Sequence, residues 1–548
     1  MWTLLLGCTG TTTIIGGDAH DTGESAPLDT ADSGPDSAEE LPSPETLGKI
    51  TFEPDGGSFV EVVTVSLSIE DGGGTLEYCL SDPSTTRCTW EPYVAPIQVT
   101  VSAIVRARVT LNAQSEIEGR SFVELEPELS TFESPIPVLI FWTDDSAPDS
   151  TSDVALGLTV YEPTDGVPTS LLSAPTDSGR ARLHVRGSSS AGFEKKAFDM
   201  ELWEADDDAD RRTPLLGLPD NGDWVLYAPY YFDEALIRNP LAFTLSNAIG
   251  RYAPRTRMVE VFIAERGRAA NEDDYLGVYV LIEEIEVDAD RVAITPILAT
   301  DVDEPELTGG YLFKIDRTGS GESGFYAGNA GGRFDFQQGF VAVEPAENEL
   351  EREQQDYLQD HLDALGWAVD GLDGYEAILD VDSFIDHHIL NLVMKNPDSF
   401  RLSGYMFQDR GGLLQAGPVW DFDRSAGSLD SRSFDPTWWD NQNETPDCTP
   451  VFTFGWYAGL FEDPTFSARY WERFEALLQA ELSAEALDAA ILTLATDLDE
   501  PAARDTARWN QAEFSGELAE LRAWMADRHA WMSACIAVEP DPRTCRGR

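Results

Sequence analysis

Two short acidic stretches hold the residues best suited to chemistry. They are Lys395-Asn396-Pro397-Asp398-Ser399 and, beyond an Arg-Gly-Gly turn, Gly417-Pro418-Val419-Trp420-Asp421-Phe422-Asp423. Each leaves a strongly apolar element, and the spacing between them is short. Two carboxylate-bearing loops so placed are what metal-assisted phosphoryl transfer requires: one acid positions a hydroxyl nucleophile while the other holds Mg²⁺ against the phosphates.

A second stretch carries cations. In Arg182-Leu183-His184-Val185-Arg186, strand alternation puts Arg182, His184 and Arg186 on one face and the apolar pair on the other. Gly187-Ser188-Ser189-Ser190-Ala191-Gly192 follows as a loop of small residues. A further strand then sets Lys196, Phe198, Met200 and Leu202 on one face and Lys195, Ala197, Asp199 and Glu201 on the other. Lys196 is thus predicted on the apolar face. Strand, Gly/Ser loop and strand with an inward lysine make a cradle in which backbone N–H groups and a point charge meet a polyphosphate.

Composition frames both signals. The chain of 548 residues is too long for one core and suggests two or three domains. Its formal net charge of −62 argues against nucleic-acid or anionic-membrane partners, because phosphate repulsion would oppose contact. Only five lysines occur, at 49, 195, 196, 314 and 395, against 32 arginines. Where arginine is used almost everywhere, a retained lysine marks a place where the guanidinium fork would not serve, and four of the five fall in chemically suggestive stretches. No apolar run approaches the roughly 18 residues needed to span a bilayer.

Leu5-Leu6-Gly7-Cys8 resembles a bacterial lipobox, in which Cys8 becomes the lipidated first residue of an exported protein; it lacks a basic n-region and a full apolar h-region. Residues 1–8 are read as that signal remnant. Residues 9–47, rich in Thr, Ser, Asp, Glu, Gly and Pro, form a flexible acidic tether. Short alternating runs such as Val62-Val63-Thr64-Val65-Ser66-Leu67 and Ala103-Ile104-Val105-Arg106-Ala107-Arg108-Val109 predict a small β-sandwich over 48–125. Tyr78, Tyr93-Val94-Ala95-Pro96-Ile97 and Val105-Arg106-Ala107 make it similar to the module related to the C-terminal domain of chitobiases. That likeness implies a Cys79–Cys88 disulfide and an oxidising compartment, and its bland role is that of a spacer or weak ligand-binding module.

After an acidic link from Leu125 to Pro137, the strand Pro137-Val138-Leu139-Ile140-Phe141-Trp142 opens the large domain. Further strands are predicted at Val259-Glu260-Val261-Phe262-Ile263, at Gly277-Val278-Tyr279-Val280-Leu281-Ile282-Glu283 and at Gly309-Gly310-Tyr311-Leu312-Phe313-Lys314-Ile315-Asp316. Asp382 is expected to cap a helix in which Phe384, Ile385, His388, Ile389, Leu392 and Val393 recur at helical spacing, delivering Asn396 and Asp398 at its end. His387 and His388 lack spaced partners and are read as core or surface residues rather than zinc ligands. The last 90 or so residues are helical, with Tyr470, Phe474, Leu477 and Leu478 on one apolar stripe. Leu518, Leu521, Trp524, Met525 and Trp531 form another. Cys535 and Cys545 would close a disulfide, with a bridge from Cys448 to either as the alternative. Neither a Gly-x-Ser-x-Gly elbow, a Walker loop nor His-Glu-x-x-His occurs.

In this order and spacing, Arg186-Gly187-Ser188-Ser189-Ser190, Lys195-Lys196, Ile237-Arg238-Asn239, Gly277-Val278-Tyr279 with Glu283, Gly309-Gly310-Tyr311-Leu312, Asn396-Pro397-Asp398 and Gly417-Pro418-Val419-Trp420-Asp421-Phe422-Asp423 resemble the CotH family of spore-coat-protein-H-like secreted atypical protein kinases. The likeness covers about residues 137–534, leaving 535–548 as a tail. It implies an α+β, two-lobed atypical kinase-like domain behind the all-β sandwich. The implied activity is ATP- and Mg²⁺- or Mn²⁺-dependent phosphorylation of Ser/Thr on extracytoplasmic surface, coat or secreted proteins. Carried over by position, Asp398 matches the catalytic acid and Asp421 the metal-binding acid. Asp423 would add to the metal shell, and Asn396 would orient Asp398 or the metal. Arg186 and Ser188 belong to the nucleotide loop. By analogy with kinases in general, Lys196 would hold the α/β-phosphates and Glu283 would pair with it. The chain departs from the family where Ser188 stands in place of Asn and where Gly427-Ser428 replaces Gly-Asn.

Two rival readings stay open: transfer of a nucleotidyl group or an amino acid on the same scaffold, since fold does not fix chemistry, and a non-catalytic surface or adhesion protein. Membrane contact is expected only through a lipid at Cys8, and the sequence is silent on oligomeric state.

Overall fold

The structure, a computed structural model, describes residues 46–164, 166–319, 323–439, 449–537 and 541–545. Cys8, most of the acidic tether and Cys448 lie outside the described residues.

The first elements are all β. A three-stranded sheet of Lys49–Glu53, Val63–Glu70 and Ile97–Val99 faces a five-stranded sheet built around Thr75–Ser81, Ala103–Leu111 and Gln114–Glu124. Alternation explains the packing: Val65, Leu67, Val105, Ala107 and Val109 turn inward to a shared core. Cys79 and Cys88 are disulfide-bonded. The stretch from Leu125 to Ile136 is not a loose link. Leu125, Leu129 and Ile136 are buried, and the backbone of Glu124 and Glu126 pairs with Ala270 at 2.8 Å each. Ile104 and Val123 of the sandwich share a core with Val138, Ile140 and Phe262 of the next domain.

That domain opens with a closed seven-stranded barrel. In chain order its strands are β1 (Val138–Trp142), β2 (Val154–Tyr161), β3 (Asp177–Val185), β4 (Phe198–Trp203), β5 (Asp223–Tyr227), β6 (Thr256–Ala264) and β7 (Tyr275–Glu283). All neighbours run antiparallel except β1 and β6, whose parallel pairing of Val138 with Glu260 closes the ring. Leu139, Leu158, Leu183, Met200, Trp224, Val261, Tyr279 and Leu281 fill the interior, as β-branched, aromatic and leucine residues at period two should. The outer faces of β5 and β7, with Val225, Val278, Val280 and Ile282, belong to the large core of the helical side.

On that side β8 (Tyr311–Asp316) is central to a four-stranded sheet with β9 (Gly339–Glu344), β10 (Gly404–Gln408) and β11 (Gln415–Ala416). Its longer helices are α1 (Arg238–Ala248), α2 (Arg352–Gly371), α3 (Val381–Met394), α4 (Pro464–Gln479), α5 (Ala484–Leu494), α6 (Asp499–Trp509) and α7 (Phe514–Ile536). Helix α3 runs through the core, with every residue but Asp382 buried. Its cap is Asp380 rather than Asp382: the Asp380 carboxylate accepts from Ser383 N at 3.0 Å. His388 is a core residue, satisfied by the Tyr470 hydroxyl at 2.8 Å and the Val451 carbonyl at 2.9 Å. Both apolar stripes of the C-terminal helices pack into this core, and Cys535 is bonded to Cys545.

Helix α6 is bolted to β7. Asp505 accepts from Val278 N at 2.8 Å and from Lys195 Nζ at 2.6 Å. Gly277 (φ 101°) permits the approach, since a Cβ there would lie 2.1 Å from Asp505 Oδ1. No helix among the described residues is long and apolar enough to cross a membrane.

Candidate active site

Between the outer face of the barrel and the helical side lies a cavity of about 920 Å³. One wall is barrel: Arg186 past β3, Ala197 and Asp199 at β4, Val225 and Tyr227 of β5, Ile282 of β7. Facing it are Lys314 and Asp316 of β8, Asp398, Tyr405 and the loop Trp420, Asp421, Asp423 and Arg424. Seven bases and six carboxylates line it. In a chain of net charge −62, this is a local basin of near-balanced charge into which a polyanion can enter.

The two acidic loops meet here because α3 ends abruptly. Lys395 takes a left-handed cap (φ 48°), and its ammonium is held by the carbonyls of Asp435 and Thr437 at 2.6 and 2.8 Å. The chain turns through Asn396, whose side chain accepts from Asp398 N at 3.1 Å and donates to the Asp421 carbonyl at 3.4 Å. Asn396 thereby bridges the two loops without lining the cavity.

Asp398 is gripped by two guanidinium groups. Arg401 donates to Oδ1, and Arg432 donates to Oδ1 at 2.7 Å and Oδ2 at 3.1 Å. Burial pushes this carboxyl up, but the two arginines outweigh it and hold Asp398 below the usual carboxylate range. Arg432 is in turn fixed by Asp430 at 2.7 Å. Asp430 N donates to Ser428 Oγ at 3.1 Å, so Ser428 supports this network from behind and makes no contact with the cavity.

Asp421 and Asp423 present a different environment. Asp421 sits at φ 64°, a left-handed conformation sparsely used outside glycine and asparagine or aspartate. It is held there by neighbours: Phe422 N donates to Asn239 Oδ1 at 2.6 Å, and Arg238 Nε donates to the Ser425 carbonyl at 3.1 Å. The N-terminus of α1 thus clamps the loop. Neither the Asp421 nor the Asp423 carboxylate has a hydrogen-bond or ion-pair partner among the described residues. Burial first, then the charges of Asp398 and Asp316, push Asp421 up to about 6. Burial and Asp421 push Asp423 well above its usual value. Such a pair fits a divalent cation, which would reverse both penalties; Mg²⁺ takes one or two carboxylates and completes its shell with water and phosphate oxygens. Among the described residues no cluster of three or more His, Cys, Asp or Glu offers an all-protein cage.

The Gly/Ser loop borders the cavity from Arg186 to Ser190. Gly187 sits at φ 101°, a backbone conformation that other residues rarely adopt. The backbone N–H groups of Gly187, Ser188 and Ser189 find no acceptor among the described residues, leaving a set of donors suited to phosphate oxygens.

Two expected side chains are not brought to the site. The Lys196 ammonium folds back onto the Ala191 carbonyl at 2.7 Å and does not line the cavity, because β4 begins only at Phe198 and the turn before it does not keep strand parity. Lys195 is the lysine beside the cavity, but its side chain is fully buried against Asp505. Glu283 pairs with neither lysine: its carboxylate binds the Arg255 guanidinium at 2.7 Å and the Arg255 amide at 2.8 Å. The acid that meets a cavity-lining cation is its neighbour Glu284, which accepts from Arg186 Nη1 at 2.8 Å. Sequence reasoning gave no role to Asn239, Lys314, Asp316, Arg401, Asp430 or Arg432. Asn239 carries a signal as part of an ordered motif and Lys314 as one of only five lysines; the others carry none.

Residues 183–532 match the family model described as CotH kinase protein. The chain belongs to the CotH kinase protein family. The matched span contains the glycine loop, both acidic loops and the helices behind them, so the cavity falls inside the CotH region while the N-terminal sandwich lies outside it. No curated protein matches the chain.

Proposed function

We propose that this CotH protein is a protein kinase that transfers the γ-phosphoryl group of ATP to Ser or Thr of extracytoplasmic surface, coat or secreted proteins. The observation that carries the reading is the presence in one cavity of an ionised, oriented acid, Asp398, and an unpartnered acidic pair, Asp421 and Asp423, beneath a loop of unpartnered N–H groups.

In this reading Asp398 orients the acceptor hydroxyl and takes its proton late, after the bond between the γ-phosphorus and the oxygen of the departing ADP is largely broken. Its depressed pKa suits that role: the group stays ionised and aims a hydroxyl rather than stripping it early. Arg401 and Arg432 keep it in place. Asp421 and Asp423 would hold Mg²⁺ or Mn²⁺, which when bound neutralises charge on the phosphates. The glycine-loop amides and Arg186 bind the polyphosphate, and Asn239 and Asn396 keep the two acidic loops in register. Both disulfides fit an oxidising, extracytoplasmic location.

The test is incubation of the purified protein with Mg²⁺-ATP and candidate surface proteins, followed by mass spectrometry of the product. Phosphoserine or phosphothreonine that is absent with Asp398→Ala supports the reading. A nucleotidyl or aminoacyl adduct instead would redirect it to another transfer on the same scaffold.

A further inference from the structure

Beyond the acids, the cavity needs a cation aimed at the nucleotide, and neither Lys195 nor Lys196 is free to serve. Arg186 is. It stands at the outer end of β3, immediately before the glycine loop, with its guanidinium 5.7 Å from the Trp420 ring centroid. Nη1 is held by Glu284 at 2.8 Å and lies 3.9 Å from Asp199 Oδ2. Burial acts to lower the Arg186 pKa, but Glu284 and then Asp199 outweigh it. Nε and Nη2 have no acceptor among the described residues, and Arg186 lines the cavity. A guanidinium carries five N–H donors in a fixed fork; anchored through one nitrogen, it presents the remainder in a defined direction.

Resting on the kinase reading, we propose that Glu284 is a positioning residue that aims Arg186 at the phosphates of the bound nucleotide, assisted by Asp199. Three features carry this. Glu284 follows β7 on the same face as Ile282, which lines the cavity, whereas Glu283 turns away to Arg255. Arg186 adjoins the loop amides, so cation and N–H groups converge on one polyanion. Asp199, reaching in from β4, is pushed up by burial and by the charge of Glu284. Two carboxylates therefore share one guanidinium, an excess of negative charge that an anionic ligand would meet only if the fork is turned outward. The Glu284 side chain is 28% exposed, so its replacement leaves the core intact.

The adjacent glutamates allow a paired experiment on the full chain, with calorimetric binding of Mg²⁺-ATP and of adenosine, and with melting temperature followed in parallel. Glu284→Gln is expected to weaken Mg²⁺-ATP binding about tenfold, to leave adenosine binding and melting temperature nearly unchanged, and to raise KM for ATP more than it lowers kcat. Glu284→Asp should recover part of the loss. Glu283→Gln should lower the melting temperature and leave ATP affinity as it was. If the native protein binds ATP and Glu284→Gln binds it equally well, or loses adenosine and ATP affinity alike, the positioning role is overturned while the nucleotide site stands. If the native protein binds no nucleotide, the kinase reading itself falls and this role with it.

Discussion

Arg432 joins two carboxylates, donating to both oxygens of Asp398 at 2.7 and 3.1 Å and to Asp430 Oδ2 at 2.7 Å. The proposed hydroxyl-positioning acid is therefore not a lone carboxylate in a cleft. It is one end of a chain that runs through Arg432 and Asp430 to the buried Ser428, and its charge and direction are fixed before any acceptor arrives.

Arg432→Gln should separate these contributions. Asp398 is held below its ordinary range, so the pairing stabilises the fold at pH values above that range and the contribution fades as pH falls through the depressed value. Without Arg432 the Asp398 pKa rises, and the acid limb of the kcat profile should move to higher pH. The lost charged hydrogen bonds should also cost about 2 kcal/mol of stability at neutral pH, measurable by urea denaturation.

Asp421→Asn is expected to act in opposite directions with and without metal. Because the Asp421 carboxyl is raised to about 6, the folded protein binds a proton that the unfolded chain does not. Stability therefore falls as pH rises from about 4 to 6 and stays lower above that window. The amide removes this penalty, so the metal-free variant should melt higher than the native protein at pH 8. In the presence of Mg²⁺-ATP the order should reverse, since the variant loses the ligand-linked rise. Differential scanning fluorimetry at both conditions reads both signs.

Asn239→Ala tests the clamp on the same loop. The Phe422 N–H is buried and bonds Asn239 Oδ1 at 2.6 Å; stripped of that acceptor it costs about 1–3 kcal/mol. The left-handed Asp421 should relax, so the Mg²⁺ concentration giving half-maximal activity should rise at least several-fold, while Asn239→Asp should largely preserve the loop.

What the sequence revealed follows from where period-two reasoning holds. Arg182 and His184 lie on a true strand and Arg186 follows directly at its end, so their shared outer face is readable from alternation. That of Lys196 is not, because the strand begins two residues later and the preceding turn breaks the parity. Glu283 and Glu284 were indistinguishable for a related reason: β7 is buried on both faces, so no polar alternation marks which face meets the cavity. Barrel closure depends on β1 pairing in parallel with β6 across more than a hundred residues, a long-range contact with no local signal. Arg432 and Asp430 reach Asp398 by the same kind of tertiary convergence. The acidic loops were legible because a helix end and a turn, both local features, bring them to the cavity.

Lys195 and Asp505 lie 310 residues apart in sequence and 2.6 Å apart in space, with both side chains almost wholly buried. Burial pushes the lysine pKa down and the aspartate pKa up, against the pull of each partner, and Asp505 Oδ2 has no hydrogen-bond partner among the described residues. Desolvation thus dominates this pair. Removing one member strands the other, so Lys195→Met and Asp505→Asn should each destabilise by about 3–5 kcal/mol. The Lys195→Met, Asp505→Leu double variant leaves no buried charge and should lose clearly less than the sum of the two single losses, giving a large favourable coupling energy in a double-mutant cycle. Because the ammonium is wholly buried and committed to Asp505, Mg²⁺-ATP affinity of the folded double variant should match the native protein. A tenfold loss of affinity there would show that Lys195 reaches the nucleotide after all.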